Sequence, residues 1–184
     1  VMAFWNAPLC QSNHAELAVK AATEIEKMVP TINKLILQRV GADWPVKEFS
    51  IGVGIATGDV VVGNFGSQSR LSYSVIGDTV NLAARIESFV KRTGITTTVC
   101  EATARLSASK FLIEMDSIEI RGRVSKEKVF GLYEFTDEEE SIHNKILEAR
   151  LSENSQELRK CLDAIEQDTY PENLLKFYSG KVEL

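Results

Sequence analysis

Between Phe49 and Ala56 the chain alternates without a break. Phe49, Ile51, Val53 and Ile55 hold one set of positions, and Ser50, Gly52, Gly54 and Ala56 hold the other. A period of two marks an extended strand, because successive side chains point to opposite faces. Here one face is bulky and the other nearly bare. A bare face lets something approach the backbone closely. The occupant is either a helix lying on the sheet or a subunit or ligand. The chain must therefore build a sheet that carries a tightly packed neighbour.

The flanking segments supply further elements. Val1 to Trp5 reads as a short apolar strand ended by Asn6-Ala7-Pro8. Asn13 is a candidate N-cap, and Ala15, Ala18, Val19, Ala22, Ile25 and Met28 follow at helical spacing. Pro30 interrupts this pattern, which Ile32, Leu35, Ile36 and Val40 resume, so one long helix or two remain open. Residues 42–47 read as a loop. Thr57-Gly58-Asp59 predicts a hairpin turn with Val60 to Val62 as the returning strand. Asn64 to Arg70 reads as a loop and Leu71 to Ile76 as another strand. Gly77-Asp78 opens a helix with Asp78 as N-cap, and Gly94 stops it. A short strand over Thr96 to Val99, a short helix over Glu101 to Leu106, and strands over Phe111 to Arg121 and Lys128 to Phe135 follow, the last two joined by a turn over 122–126.

Asp137 to Glu140 begins an acidic, charged helix running from Ser141 to about Ile165, with a bend near Ser152 to Ser155. Tyr170-Pro171 breaks it, and Leu174, Leu175 and Phe177 suggest one last docking turn. Residues 137–184 thus read as a helical extension of a domain spanning 1–136. Strands paired by hairpins and mixed with helices define the α+β class.

Bulk properties narrow the function. A length of 184 residues suits one domain, and 44% hydrophobic with 26% charged residues is ordinary for a packed globular chain. A net charge of −5 argues against nucleic acid as the main partner. Cys10, Cys100 and Cys161 are far apart and show no metal-ligand spacing. No apolar run reaches the roughly 20 residues of a membrane helix. The apolar strand at Val1 has no lead-in, which suggests a fragment.

Few residues invite chemistry. Asn81 and Arg85 lie four apart on the helix after Gly77 and share one face. Arginine offers a planar fork to phosphate, and asparagine can orient a sugar hydroxyl. Both also suit an ordinary solvated helix face. Arg121-Gly122-Arg123 can reach a polyphosphate or simply form a solvated turn. Asp59 and Asp78 suit caps or turns as well as a metal, and no carboxylate pair stands out.

The order of segments adds more. Val1-Met2-Ala3-Phe4-Trp5-Asn6-Ala7-Pro8 is followed by His14-Ala15, then Ile51 to Gly58, then Val61-Val62-Gly63-Asn64-Phe65-Gly66-Ser67, then Tyr73 to Glu87 with Gly77-Asp78-Thr79-Val80-Asn81 at its centre. Together with Ile120-Arg121-Gly122-Arg123, this succession closely resembles the class III adenylyl/guanylyl cyclase catalytic domain over about residues 1–136. The resemblance implies a ferredoxin-like α+β fold that works as a head-to-tail homodimer, converting ATP or GTP to a 3′,5′-cyclic nucleotide and pyrophosphate in intracellular signalling. By that match Asn81 orients the ribose and Arg85 stabilises charge on the α-phosphate. Ser74 and Ile76 belong to substrate binding, with Ser74 leaning toward adenine, and Arg121 contacts the terminal phosphates.

The family's two Mg²⁺ or Mn²⁺ ions are held by aspartates that, by the same match, precede Val1. The chain departs from the family pattern in lacking that half of the site, together with a central strand and the first helices. Alone it is expected to be inactive. Cys10, Cys100 and Cys161 read as reduced, mostly buried thiols, so a cytoplasmic domain is expected, and the parent protein can still be membrane-anchored.

Overall fold

A computed structural model describes residues 1–40, 48–67, 70–119, 126–152, 154–165 and 169–182. Its helices are α1 (His14–Val40), α2 (Asp78–Thr93), α3 (Glu101–Ser107), α4 (Asp137–Leu151), α5 (Ser155–Asp163) and α6 (Glu172–Ser179). Its strands are β1 (Val53–Ile55), β2 (Val61–Ser67), β3 (Arg70–Ile76), β4 (Thr97–Cys100), β5 (Leu112–Ile118) and β6 (Glu127–Leu132). Four strands form one sheet in the order β1-β4-β6-β5, and β2 and β3 form a separate two-stranded sheet. The class is mixed α+β, as expected.

The bare face is covered by a helix. A Cβ built on Gly54 would overlap the Ala83 carbonyl oxygen and the Glu87 amide of α2. One built on Gly52 would lie 2.8 Å from Oε1 of Glu87. At Gly54 glycine permits a backbone-to-backbone approach that any side chain would block. From the neighbouring strand, the buried Thr98 hydroxyl donates to the Ile86 carbonyl of α2 at 2.8 Å. At the other end Gly94 takes the left-handed conformation (φ 69°) and donates its N–H to Val90 O at 2.8 Å. That glycine stop was legible in the sequence.

Several expectations need correction. Val1 to Trp5 forms no strand; Val1 and Met2 are exposed, and no described strand pairs with the segment. Phe4 instead rests near the Tyr73 ring, with centroids 5.9 Å apart. The alternation from Phe49 becomes a strand only at Val53. Before that, the Asn33 amide clamps Phe49, donating to its carbonyl at 2.9 Å and accepting its N–H at 2.7 Å, in place of ladder bonds.

Thr57-Gly58-Asp59 makes no hairpin, because β1 pairs in parallel with β4 and not with β2. Thr57 is tied elsewhere: its N–H donates to Sγ of Cys100, and its hydroxyl lies 2.8 Å from that of Thr103. The true hairpin joins β2 to β3 from Val61↔Ile76 to Ser67↔Arg70, so most of the polar stretch expected as a loop is ladder. The N-cap of α2 is Gly77, and Asp78, its first residue, makes no capping hydrogen bond.

α1 is one helix of 27 residues that continues through Pro30. It begins directly after Asn13, whose carbonyl accepts the Leu17 N–H at 3.0 Å. The expected long C-terminal helix is two. α4 starts early in a capping box between Thr136 and Glu139, and the Asn154 side chain starts α5 by accepting the Gln156 and Glu157 amides. The loop over 42–47 and the turn over 122–125 lie outside the described residues.

One apolar cluster joins α2, the sheet and the C-terminal helices. It holds Leu82, Ile86 and Phe89 together with Met115, Val129, Ile146, Leu174 and Tyr178. His143 is buried at its margin. Its Nε2 lies 2.7 Å from the Glu114 carbonyl and its Nδ1 2.6 Å from the Tyr170 hydroxyl. A carbonyl only accepts, so Nε2 carries the proton and Nδ1 accepts from tyrosine.

Two outcomes follow. Gly54→Val should push α2 off the sheet and cost about 2 kcal/mol or more in chemical unfolding, a typical overpacking penalty. An unchanged unfolding midpoint would contradict the close approach. Burial holds the His143 imidazole below its ordinary value of 6.5, partly opposed by its hydrogen bond to the Glu114 carbonyl and by Glu140. The unfolded chain therefore binds this proton more readily. The contribution of His143 is complete above about pH 6.5 and is lost as pH falls through the lower folded value. The melting temperature should drop between about pH 7 and 5, and His143→Gln should flatten that slope. An equally steep slope in the variant would rule His143 out as its source.

Candidate active site

α2 divides cleanly by face. Leu82, Ile86 and Phe89 point into the core, while Asn81, Ala84, Arg85 and Ser88 are exposed. Asn81 and Arg85, four residues apart, thus share the outer face, as the spacing predicts. Neither side chain has a hydrogen-bond or ion-pair partner among the described residues. The first N–H groups of the helix have no side-chain cap, and the bonds there are Val80 N to Gly77 O at 3.1 Å and Asn81 N to Gly77 O at 3.4 Å.

β3 leads directly into this helix. Ser74 is half-buried and pairs in register with Gly63; Ile76 is exposed and pairs with Val61. Two residues apart on a strand, they share a face. Gly77 then turns the chain into α2, so Ser74, Ile76, Asn81 and Arg85 lie on consecutive elements joined by one residue. Arg121 lies outside the described residues.

A cavity of about 450 Å³ lies beside the start of α2, lined by Thr57, Gly58, Asp59, Asp78, Thr79, Leu82, Ala102 and Glu127. The Thr79 hydroxyl donates to the Asp59 carbonyl at 3.0 Å and fixes one wall. Among the described residues its lining carries three carboxylates, Asp59, Asp78 and Glu127, and no Lys or Arg. Asn81 and Arg85 are not among its walls. They lie on an exposed face of α2.

The fit to divalent metals is poor. Among the described residues, no group of three or more His, Cys, Asp or Glu could hold an ion. Asp59 and Asp78 line the acidic cavity but do not complete a ligand set. Among the described residues, no helix is long and apolar enough to cross a membrane.

Sequence reasoning missed the groups that hold α2 in place. Thr98 grips it from β4 and Asn173 caps its last turn from α6, at 2.8 and 2.9 Å. Only the bare glycine face hinted at such a docked helix.

The fold and this helix define an α+β domain with an exposed polar helix face. Residues 2–134 match the family described as "Adenylate and Guanylate cyclase catalytic domain". The chain belongs to that family. It is 33% identical over 134 residues to Adenylate cyclase 1 of Rhizobium meliloti (strain 1021), covering 73% of this chain and 19% of that protein. It is 30% identical over 131 residues to Adenylate cyclase of Anabaena cylindrica, covering 68% of this chain and 25% of that protein. The chain therefore spans a quarter or less of the length of these relatives.

Among solved structures it is similar to the guanylyl cyclase Cya2, with a TM-score of 0.57 and 26% identity over 71% of this chain and 64% of that one. The adenylyl cyclase CyaB from P. aeruginosa gives 0.54 and 26% over 71% and 65%.

The Thr98 bond tests the support of α2. Thr98→Val keeps the shape and leaves the 2.8 Å bond to Ile86 unmade. It should lower stability by about 1 kcal/mol; no loss in a denaturant titration would mean the bond contributes nothing.

Proposed function

We propose that this chain supplies the transition-state half of a nucleotidyl cyclase site, which converts ATP, with GTP as the alternative substrate, to a 3′,5′-cyclic nucleotide and pyrophosphate. The observation that carries the reading is the open, unpartnered Asn81–Arg85 face of α2. The names of two relatives, both adenylate cyclases, support it. The preference for ATP rests on Ser74, whose short hydroxyl suits the adenine edge.

In the reaction the ribose 3′-hydroxyl attacks the α-phosphorus. An oxygen–phosphorus bond forms, the bond from the α-phosphorus to the bridging oxygen breaks, and pyrophosphate leaves with that oxygen. The hydroxyl proton passes to solvent. Asn81 holds the ribose so that its hydroxyl stays in line, which lowers the entropic part of the barrier. Arg85 carries fixed positive charge to the α-phosphate as negative charge builds there. Ser74 and Ile76 bind the base, and Arg121 takes the terminal phosphates. The divalent ions of this chemistry have no ligand set among the described residues, so no step is assigned to them.

An open helix face binds nucleotide weakly by itself. On this reading its second wall is another copy of the domain, arranged head to tail, and the isolated chain is inactive.

The test is cyclic nucleotide formation by an N-terminally extended protein, supplied with Mn²⁺ and either ATP or GTP. Cyclic AMP from ATP should fall by about 10²–10³-fold in Arg85→Ala, the usual loss of one preorganised charge donor. Asn81→Ala should lower kcat more than it raises KM. Silence with both nucleotides from a folded dimer would instead indicate a non-catalytic module that binds nucleotide and dimerises.

A further inference from the structure

The family match ends at residue 134, yet the chain beyond it packs against the helix that carries Asn81 and Arg85. Three contacts join α6 to the last turns of α2. The Asn173 amide donates to the Thr93 carbonyl at 2.9 Å, satisfying one of the carbonyls a helix leaves without a partner at its C-terminus. Phe177 meets Phe89 edge-on, with centroids 5.4 Å apart. The Asn173 side chain also packs on Gly94, the residue that ends the helix, within 3.2 Å of where a Cβ would sit.

The same C-terminal residues grip β5 where its register with β6 shifts between Glu114 and Asp116. His143 of α4 takes the Glu114 carbonyl at 2.7 Å, and the Tyr178 hydroxyl of α6 donates to the Met115 carbonyl at 2.8 Å. The buried Asp116 carboxylate takes Lys181 at 2.6 Å. Three successive residues of β5 are thus tied to the C-terminal segment. α6 itself is anchored to the sheet through Tyr178 and to α2 through Asn173.

We infer that residues 137–182 brace α2 against the sheet, and that Asn173 is a positioning residue for Arg85. This rests on the reading of α2 as the catalytic helix. Asn173 touches no substrate. It fixes the last turn of a rigid helix whose Arg85 lies eight residues, or about two turns, earlier. Displacement of a charge donor by about 1 Å is enough to lower turnover without abolishing binding. A partner that lifted α6 from Phe89 would lower cyclase activity from a distance.

The test uses the full-length protein with Asn173→Asp, which keeps the size but presents an anion to the Thr93 carbonyl, and Asn173→Ser should the first not fold. Expected is a kcat lowered about fivefold, the worth of one hydrogen bond, with KM changed by less than about twofold. The loss should vanish in an Arg85→Lys background, because the two residues act in one chain of contacts. Amide exchange over the last turn of α2 should quicken.

An equal loss of kcat in both backgrounds would overturn the inference, since a mere loss of folded protein multiplies through any background. So would a folded variant with wild-type kcat and exchange. If the unmutated protein makes no cyclic nucleotide, the cyclase reading fails, and amide exchange alone decides the brace.

Discussion

The seating of α2 on the sheet depends on a bare glycine face. At Gly54 the backbone of β1 meets the backbone of α2 and a Cβ would overlap it, while Gly52, just before the strand, faces the Glu87 and Val90 side chains. That approach fixes the depth of α2 on the sheet. The inward residues Leu82, Ile86 and Phe89 then fill the core, and Asn81 and Arg85 are left on the outside. The Thr98 bond to Ile86 fixes the helix along its axis, and the glycine stop at Gly94 fixes its end. A polar pair on an exposed helix is common. A polar pair on a helix seated so firmly is placed for chemistry that depends on position.

The seating has a second side. α6 closes on the far end of α2 through Asn173 and Phe177 and reaches β5 through Tyr178, with Lys181 just beyond the helix adding an ion pair to Asp116. The acidic run at Asp137 to Glu140 opens α4 at its N-terminus, where negative charge is favourable, and the capping box at Thr136 sets its start. α2 is therefore held by glycines and Thr98 on one flank and by an amide and an aromatic pair at its end.

Much of this was legible in the sequence, and the limits have physical causes. Alternation at Gly52 and Gly54 announced a close neighbour, and Gly94 ended α2 as expected, because glycine marks backbone that other residues avoid, although the N-cap is Gly77 and not Asp78. Helical spacing showed Asn81 and Arg85 on one face. Strand partners were not legible. β1 pairs with β4 and β2 with β3, whereas the Thr57-Gly58-Asp59 signal suggested β1 with β2. A turn signal is local, but pairing is decided by packing far along the chain. Residues 1–5 carry the pattern of a strand and still lie unpaired, since a strand forms only beside another. The grip of His143, Tyr178 and Asn173 on distant carbonyls left no trace in local pattern. The carbonyls belong to residues 29, 63 and 80 positions away.

On the proposed reading, the Asn81–Arg85 face contacts the nucleotide only when a second copy of the domain closes over it. The most direct measurement is a crystal structure of the N-terminally extended protein with a non-cyclisable ATP analogue. The account predicts a head-to-tail pair, with Arg85 of one copy within hydrogen-bond distance of the α-phosphate and Asn81 of the same copy on the ribose. The other copy would supply the remaining wall. A nucleotide bound within a single copy, or lodged in the acidic cavity of Asp59, Asp78 and Glu127 with Arg85 facing solvent, would contradict it.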